Sequence, residues 1–521
     1  MSYDIIVVGA GSNSLTTACY LAKAGLSVLV LEREEQCGGG VVSVSTAPGF
    51  THDPHAMGYL VCQANPAIKN EELELRTRFG LEFALAESPF ASLYPNGNGL
   101  ISYTDVDRSL KEIAKFSEKD ARAYAQLVEE AFELLPILLK SFFAPPMPYD
   151  GFMKLLAATD QGRKLKHEME GSVIDFLNDR FESPEVKVHM AKWASELMSA
   201  PDLPGTGLTM YLILGIGHQV KMGTVVGGAQ SLTNALIACL EHHGGELRTQ
   251  TTVERLVVAD GRCTGVVLDT GAVLTAKKAV VANIHPWDLG DMVEGVPADV
   301  VARAKATKLS EYGAINQQIA LSEAPIWIGG DAYQASCMVE CLSPNWEEFL
   351  HPFQAYRRNE FPIGHLGPLA GPQSNFDPTR APPGQCALYL YSFAPLQIEG
   401  GWDAHRQAVG DAIFDWFASF TTNIDRSKIL GRLIESPLEH HRHSRMMRNG
   451  DIMGIAMTAD QLLGARPTKD LASYRVPGVE GLYLAGCTSH PGGTVTLGGR
   501  ATAMKIYDDF GIDLSVGFID W

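Results

Sequence analysis

The sequence predicts an α/β fold: the chain opens with a strand–helix–strand unit and ends with a buried strand followed by a glycine-rich loop. Residues 5–8 and 28–31 are short apolar runs rich in β-branched residues, as buried parallel strands require. Between them, residues 15–22 carry apolar side chains at helical spacing, and Gly25 stands where a helix C-cap belongs. These elements fit within about 30 residues, the size of one βαβ unit.

A mainly helical part of the molecule is predicted to follow. Residues 110–199 are amphipathic at helical spacing, most clearly at 121–139 and 173–181. A further helix is predicted at 227–245, where glycine turns flank an apolar repeat.

Short apolar runs between turn residues predict the remaining strands. The runs 247–249, 253–258 and 263–268 are predicted to form a small sheet, followed by 279–281 as a return strand, with the pairs Asp260-Gly261 and Thr270-Gly271 as turns. The Pro/Gly-rich stretch 362–384 is predicted to be a loop. Predicted strands lie at 247–249, 253–258, 263–268, 279–281, 315–321, 337–342, 386–393 and 481–486, the last being followed by the glycine-rich loop 491–499 and a helix from about Arg500.

Length and charge limit the function classes. The 521 residues suggest two or three domains, interleaved or in series. Hydrophobic residues make up 46% and charged residues 20%, which indicates a well-packed globular protein. The formal net charge of −18 leaves no basic stripe to neutralise phosphates, so we expect no nucleic-acid partner.

Cysteine usage and hydropathy bear on location. The nine dispersed cysteines indicate reduced thiols in a cytoplasmic protein, and none of them completes a metal site with neighbouring histidines. Only four residues precede the first strand, so no signal peptide is expected. No run reaches the roughly 18 apolar residues of a membrane span. The proline-interrupted apolar stretch 134–153 is suited to lining an apolar tunnel or to a peripheral membrane contact.

The first turn of the βαβ unit has the form of a phosphate-binding loop. Its first glycine allows a tight turn, its second lets the backbone approach a pyrophosphate, and free N–H groups at the helix start meet the negative charge. Ser14 stands where a third glycine or alanine is usual, which should loosen helix–strand packing slightly. The expected contacts come from Gly9, Gly11, Ser12, Asn13 and Ser14.

An acidic residue and a second glycine cluster refine this prediction. Glu32 ends the second strand about 20 residues beyond Gly11, where an acid binds ribose hydroxyls. Arg33 follows directly, with a solvated surface charge as its alternative role. Residues 38–40 are all glycine, so backbone can pass close beneath a cofactor where a Cβ would collide. The acid–arginine pair with this cluster favours an FAD enzyme of the glutathione-reductase-like class, with contacts from Gly39, Gly40 and Val41.

The C-terminal unit predicts the other half of the cofactor site. The strand 481–486 ends at Gly486, and residues 490–495 lead towards a helix. A second helix N-terminus aimed at a flavin would stabilise negative charge on the reduced ring. We therefore expect contacts from Gly486, Thr494 and Val495.

Taken together, these motifs resemble the phytoene-desaturase-like branch of FAD-dependent amine oxidoreductases from end to end. The resemblance implies FAD held without a covalent bond, with the Val253 backbone against adenine. Family members have glycine where Ser14 and Thr494 stand, so this chain departs from the pattern at both positions. The matching segments are 9–15, 31–40, 227–236, 244–247, 253–258, 381–384, 450–452, 460–467 and 481–500.

The resemblance also implies a domain plan. It predicts a glutathione-reductase-like Rossmann domain that binds FAD, interrupted by an inserted α+β substrate domain with a helical cap at about 105–200. The predicted FAD-binding domain comprises residues 1–75, 215–290 and 450–521, and the predicted substrate-binding domain comprises 76–214 and 291–449.

Histidines supply the candidate catalytic groups. His52 and His55 follow the glycine cluster, where either could accept a proton beside the flavin; a histidine satisfied by backbone partners is the alternative. The run 440–443 holds three histidines, which are better explained as charged groups exposed to solvent than as ligands of a metal ion. Cys487 could tether the flavin, against the alternative of a small buried thiol.

The function expected from these features is an FAD-dependent desaturase or dehydrogenase. It would move hydride from an apolar, alicyclic or isoprenoid-like substrate to the flavin, forming C=C or C=O, with oxygen, a quinone or another acceptor taking the electrons. The sequence has no second GxGxxG loop, so we expect no separate NAD(P)H domain. It also has no redox Cys pair near the flavin motifs, so we do not expect disulfide reduction. A non-redox isomerase that requires FAD, a non-catalytic FAD-binding protein and, third, an amine oxidase remain as alternatives.

Overall fold

A computed structural model describes residues 2–519, with the side chain of residue 161 excluded; Met1 and residues 520–521, the outer ends of the predicted segments 1–75 and 450–521, lie outside the described residues. The strands form two seven-stranded sheets and one two-stranded sheet. They are β1 (Ser2–Val8), β2 (Val28–Leu31), β3 (Phe83–Leu85), β4 (Ser88–Leu93), β5 (Gly99–Ser102), β6 (Gly223–Val225), β7 (Glu246–Arg248), β8 (Val253–Ala259), β9 (Arg262–Leu268), β10 (Val273–Ala282), β11 (Gly313–Leu321), β12 (Ser336–Cys341), β13 (Leu369–Pro372), β14 (Cys386–Ala394), β15 (Ile429–Glu435) and β16 (Leu482–Leu484).

Helices cover the faces of both large sheets and fill most of the segment between β5 and β6. They are α1 (Ser12–Lys23), α2 (Val61–Ala64), α3 (Pro66–Lys69), α4 (Val106–Ala114), α5 (Glu118–Phe143), α6 (Tyr149–Ala157), α7 (Asp160–Glu170), α8 (Val173–Arg180), α9 (Pro184–Ala194), α10 (Thr209–Gln219), α11 (Gln230–His242), α12 (Leu289–Met292), α13 (Ala298–Lys305), α14 (Trp346–Arg357), α15 (Trp402–Ala418), α16 (Pro437–His443) and α17 (Gly499–Phe510).

The first sheet is the predicted Rossmann-type sheet. Its order is β7-β2-β1-β10-β9-β8, and β16 pairs with the far end of β10. The pairs β7–β2, β2–β1, β1–β10 and β10–β16 are parallel, and α1, α11 and α17 pack on one face. The α/β prediction is therefore confirmed. One detail is corrected: β7 belongs to the parallel edge beside β2 and not to the small antiparallel sheet. Three residues alone cannot specify which strand they pair with.

The second sheet is mixed and runs β15-β11-β14-β13-β12-β4-β5. The strands predicted at 315–321, 337–342 and 386–393 are present as β11, β12 and β14. The stretch 362–384 is not entirely loop, because it contains β13 between β12 and β14. This short run carries glycine and proline, and only its two neighbours make it a strand. One face of this sheet packs on α15.

The helical part predicted for residues 110–199 is present as α4–α9. The helix α5 is amphipathic, and its buried residues pack on α10. It tolerates Pro136 within its length. Among the described residues, we find no helix with both the length and the apolar character that crossing a bilayer demands.

A buried ion pair joins the loop after β2 to the second sheet. Arg380 and Asp53 are both fully buried, and Arg380 Nη1 lies 2.7 Å from Asp53 Oδ2. Asp53 Oδ1 also accepts hydrogen bonds from the Ser43 hydroxyl at 2.8 Å and the Ala229 N–H at 2.7 Å. Arg380 Nε lies 3.1 Å from Asp377 Oδ2. This network fixes segments that are far apart in sequence, because a buried charge requires its partners.

A second buried pair secures the C-terminal helix. Arg500 in α17 donates to both carboxylate oxygens of Glu72, at 2.6 and 2.7 Å. The Tyr20 hydroxyl of α1 donates to the same carboxylate at 2.6 Å, and Arg500 also donates to the Phe143 carbonyl at the end of α5. The C-terminal helix is thereby held to the first helix of the chain and to the helical region.

We expect Arg380→Met to lower the free energy of unfolding by about 3–5 kcal/mol, because it leaves Asp53 and Asp377 buried without their counter-charge. Urea denaturation followed by tryptophan fluorescence measures this change. The exposed pair Arg358–Glu360 provides the control: Arg358→Met should cost less than about 1 kcal/mol. Equal effects of the two variants would contradict a stabilising role for the buried pair.

Candidate functional site

Four loops meet at one edge of the first sheet. Leu31, Val8, Ala282 and Leu484 are register partners across β2, β1, β10 and β16. Since parallel strands point the same way, the residues that follow them emerge side by side. The site is built on this edge, from loops that begin at Glu32, Gly9, Asn283 and Ala485.

The phosphate loop turns sharply after β1. Gly9 has a φ of +91°, which favours glycine, and its N–H donates to the Leu31 carbonyl at 2.7 Å. The Ala10 N–H donates to Glu32 Oε2, also at 2.7 Å. Gly11 is the N-cap of α1 and has no side chain to cap it. The first N–H groups of α1 are therefore available to an anion.

The glycine cluster lies directly against this loop. Gly38 forms a parallel bridge to Gly11, and its N–H donates to the Ala10 carbonyl at 2.9 Å. A Cβ on Gly39 would come within 3.4 Å of Gly11 Cα. Two stretches of bare backbone thus line one side of a cleft.

The C-terminal loop closes the cleft from the other side. A Cβ on Gly486 would overlap the Asn283 carboxamide. The helix α17 starts against the first turn of α1: a Cβ on Gly499 would overlap the Asn13 carbonyl, and the Gly498 N–H donates to Asn13 Oδ1 at 2.8 Å. The N-termini of α1 and α17 therefore meet at the cleft, and both concentrate positive dipole ends there.

The cleft opens into a cavity of about 600 Å³. At the glycine end its lining includes most of the sequence-predicted cofactor residues. These are Gly11, Ser12, Asn13, Ser14, Gly39, Gly40, Val41, Gly486, Thr494 and Val495.

Away from the glycines the cavity is strongly apolar. Side chains of the helical region form its roof, and the second sheet forms its floor. The apolar lining includes Leu134, Ile137, Leu138 and Phe142 of α5, Phe152, Leu155 and Leu156 of α6, and Leu212, Ile213 and Ile216 of α10. The stretch 134–153, predicted to line an apolar tunnel, thus contributes α5 and α6 side chains to the cavity wall.

Two buried polar atoms at the glycine end lack hydrogen-bond partners among the described residues: Ser14 Oγ and Asn283 Oδ1. Both residues line the cavity. Buried polar atoms are nearly always satisfied, so these two point to a polar ligand in the cleft. Together with bare backbone where a Cβ would intrude, they fit a dinucleotide cofactor. Sequence reasoning missed Asn283, although its position two residues after the predicted strand 279–281 was a usable signal.

Some predicted cofactor residues lie beside the cavity and not in its lining. Gly9 shapes the loop from behind, and Glu32 meets the Ala10 N–H at the cleft end. Val253 begins β8 close to Glu32, since the Thr251 N–H donates to the Glu32 carbonyl at 2.8 Å. Arg33 donates to the His443 carbonyl at 3.0 Å and is half-buried, so a purely solvated surface charge does not describe it.

Of the two candidate histidines, only His55 reaches the cavity. Its ring nitrogens are buried and without hydrogen-bond partners among the described residues. The rings of His440 and His443 lie 5.5 and 4.6 Å from it, centroid to centroid. Burial, with these two neighbours, holds the pKa of His55 well below its ordinary value of 6.5. His55 is therefore neutral at neutral pH and has a free lone pair.

His52 lies elsewhere. It is fully buried, its Nε2 lies 2.9 Å from Thr46 Oγ1, and its ring stacks on Phe50. His52 does not line the cavity, so the structure does not bring the two histidines together as proton acceptors. His52 Nε2 is paired with a side-chain hydroxyl and not with backbone, and its Nδ1 has no hydrogen-bond partner among the described residues.

The histidine run 440–443 departs from the sequence expectation. These residues form the end of α16, and His440 is fully buried, so solvated charge is the wrong account for it. Packing of α16 on β11 and β15 buries it, which local sequence does not reveal. Within residues 2–519, no group of three or more His, Cys, Asp or Glu side chains could hold a metal ion.

Cys487 follows Gly486 in the glycine loop and lines the cavity. Burial raises the pKa of its thiol to about 11, despite the nearby Arg466. Arg466 is fully buried and donates to the Cys487 carbonyl at 2.8 Å and the Met453 carbonyl at 3.0 Å, which fixes the glycine loop against residues 453–466. A thiol with a raised pKa is a poor nucleophile at neutral pH.

The chain is similar to several known proteins over nearly its whole length. The chain is 28% identical to pyridine nucleotide-disulfide oxidoreductase domain-containing protein 2 of Mus musculus, over 97% of this chain and 94% of that protein. It is 24% identical to a polypeptide of limonene dehydrogenase from Castellaniella defragrans, over 98% and 95%. It is 25% identical to phytoene desaturase (lycopene-forming) of Pseudescherichia vulneris, over 97% and 99%.

The fold also has solved counterparts. Cyclohexylamine oxidase from Brevibacterium oxydans aligns over 98% of this chain and all of its own, with a TM-score of 0.60 and 19% sequence identity. At this identity the likeness concerns the fold alone. It agrees with a Rossmann-type FAD domain, and the carotenoid desaturases among the relatives confirm the phytoene-desaturase-like resemblance.

A family model described as FAD dependent oxidoreductase matches residues 4–313, more than half of the chain. The matched segment contains the phosphate loop, the glycine cluster, His55 and Asn283. Two helix N-termini, bare glycine backbone and unpaired polar atoms converge around one cleft, as a site for such a cofactor requires. The chain is an enzyme that belongs to the FAD dependent oxidoreductase family.

Proposed function

We propose that this enzyme dehydrogenates an apolar, alicyclic or isoprenoid-like substrate in the cavity between the helical region and the second sheet. The observation that carries the proposal is the continuity of this cavity, which runs from the glycine cleft into a wall of leucine, isoleucine, phenylalanine and methionine side chains. The names of two relatives, limonene dehydrogenase and phytoene desaturase, refer to terpenoid hydrocarbons, which supports the same substrate class for this enzyme.

Residues of the cleft hold FAD in this proposal. The N–H groups of Ser12 and Asn13 at the start of α1 bind the pyrophosphate, with Ser14 Oγ as a further partner. Glu32 would bind the ribose hydroxyls, and the backbone at Val253 would hold the adenine. The remaining contacts come from Gly9, Gly11, Arg33, Gly39, Gly40, Val41, Gly486, Thr494 and Val495.

When bound, FAD supplies the hydride acceptor for a reaction that forms C=C or C=O, and the electrons pass on to oxygen, a quinone or another acceptor. The protein orients the substrate and excludes water through the apolar wall. His55 accepts the proton on a free ring nitrogen, since it is neutral at neutral pH and lines the cavity.

In the proposed domain plan, different segments of the chain bind the cofactor and the substrate. The segments 1–75, 215–290 and 450–521 form the FAD-binding part, and 76–214 with 291–449 form the substrate-binding part. The strands of the first sheet lie within the former set, and those of the large second sheet within the latter, which supports this division.

The substrate enters between α5 and α6. Ile137 and Leu155 line the cavity yet are 58% and 57% exposed, so they lie at its mouth. Exposed Lys140 and Lys154 lie beside them. Apolar side chains framed by lysines suit a peripheral contact with an anionic lipid surface, from which an apolar substrate can pass directly inside.

The first test of the function is reduction of the flavin by substrate. Mixed without oxygen with cyclic and acyclic terpenoid donors, the FAD-loaded enzyme should lose its flavin absorbance band, and a product lighter by two hydrogens should form. A product of unchanged mass would favour an isomerase instead. No bleaching with any such donor would overturn the proposal.

We expect Gly11→Ala to weaken FAD binding by roughly ten-fold or more, because the new Cβ intrudes on the pyrophosphate. The protein itself has room for this Cβ, whose only neighbour within 4 Å is the edge of the Asn283 carboxamide. Gly364→Ala is the matched control, because Gly364 also has open space around it and lies outside the cavity. Calorimetric titration of the apoproteins with FAD measures both, and equal affinities would contradict the assigned cleft.

We expect His55→Gln to slow flavin reduction by roughly 100-fold or more while FAD content stays unchanged. Because the pKa of His55 is lowered and the neutral form is required, the wild-type rate should stay constant as pH falls through 6.5 and decline only at lower pH. Stopped-flow absorbance across pH tests both points. A rate that already halves near pH 6.5, or an unaffected variant, would exclude His55 as the proton acceptor.

We expect the double variant Ile137→Asp, Leu155→Asp to abolish sedimentation with anionic vesicles of phosphatidylglycerol and phosphatidylethanolamine, because charge at the mouth opposes insertion into lipid. Leu430→Asp is the control, since Leu430 is 50% exposed on β15 and lies outside the cavity lining. Wild-type protein that stays in the supernatant would contradict the lipid contact.

A further inference from the structure

The floor of the cavity contains one continuous row of side chains across the second sheet. Asn316 of β11 pairs with Tyr391 of β14, Tyr391 with Leu369 of β13, and Leu369 with Glu340 of β12. Directly paired residues project to the same face of a sheet, and all four line the cavity. Three strand spacings separate the ends of this row, so Glu340 lies roughly 14 Å from Asn316.

The Asn316 end of the row lies beside the proposed reaction centre. The Asn316 carboxamide N–H donates to the Pro54 carbonyl at 2.7 Å, directly before His55 in the chain. The stacked rings of Tyr389 and Tyr391 follow, with centroids 6.1 Å apart. The path along the floor therefore runs from His55 over aromatic faces to Glu340.

The far end carries charge. Glu340 is 2% exposed and lines the cavity together with Glu196. Lys192 lies behind this wall, also 2% exposed, and makes ion pairs with both carboxylates. Its Nζ is 3.0 Å from Glu340 Oε2, but that oxygen accepts no hydrogen bond from any residue that the structure describes.

Two carboxylates here share one ammonium group. A structural ion pair in an apolar wall requires one acid for one base, and a second buried negative charge costs free energy unless it gains a partner. The cost is visible in Glu340: burial raises its pKa to about 8, so the group keeps its proton at neutral pH unless a second cation stabilises the ionised form. Glu340 faces the cavity, and no described residue supplies the second cation that its ionised form requires.

We propose that Glu340 and Glu196 bind a protonated amine at the end of the substrate cavity far from His55. The bound cation replaces the missing counter-charge and occupies the free lone pairs of Glu340 Oε2. The rings of Tyr389 and Tyr391 border its path and attract a cation to their faces. This inference deepens the proposed function, on which it rests for the cavity's role in holding substrate: the apolar substrate carries an amino group at the end of the row far from the bond that is oxidised, and the row itself is about 14 Å long.

The test compares three amphiphiles with the same apolar chain and different head groups. Dodecylamine, dodecanol and dodecanoate, each below its micelle concentration, are titrated into the FAD-loaded protein by calorimetry. We expect dodecylamine to bind roughly ten-fold or more tightly than dodecanol, and dodecanoate to bind most weakly.

Variants assign this preference to the carboxylates. Glu340→Gln should remove the preference for dodecylamine and leave dodecanol binding within about two-fold. Glu435→Gln is the matched control, because Glu435 pairs with Asn316 in the same sheet, is buried enough that its pKa is raised to about 7, and lies outside the cavity lining. Thermal midpoints and FAD content confirm folding, and Glu196→Gln is the second variant if Glu340→Gln is unstable.

The outcomes separate the two proposals. Dodecanol binding without any preference for the amine, or a preference that survives both Glu340→Gln and Glu196→Gln, would overturn the amine site and leave the apolar cavity in place. Failure of dodecanol to bind would instead contradict the proposed apolar substrate.

Discussion

The parallel register of β1, β10 and β16 is the constraint on which the site depends. Because Val8, Ala282 and Leu484 lie level with one another, the residues after them leave the sheet at a single edge. Backbone from the start, middle and end of the chain can then converge on one ligand. A shift of one residue in either pairing would reverse which side chains face the core and would displace the glycine loops from each other.

The second constraint is electrostatic. Buried charge pairs, Asp53 with Arg380 and Glu72 with Arg500, hold together segments that are distant in sequence. Such pairs contribute little net stability compared with apolar packing, but a partner left alone is costly. They therefore favour one arrangement of the segments over others. The cavity between the helical region and the second sheet keeps its shape because the segments around it are fixed in this way.

Exclusion of water from the cavity links the fold with the protonation states of the groups that line it. The same burial that lowers the pKa of His55 raises the pKa of Glu340, because desolvation disfavours the charged form of each. A neutral imidazole thus faces one end of the cavity, and a carboxyl group that needs a further cation to ionise faces the other. In the proposed reaction, the apolar wall between them binds the hydrocarbon body of the substrate, and the polar ends orient it.

The sequence by itself determined the glycine loops, Glu32, the first βαβ unit and the final strand, because a tight turn, close backbone approach and helix start depend on neighbouring residues. Only the tertiary structure decided the pairing of β7 and β13, the burial of His440, and the separation of His52 from His55. It also decided that Asn283 and Glu340 face the cavity. These depend on strand pairing and on packing between separate segments of the chain, which the periodicity within one segment does not encode.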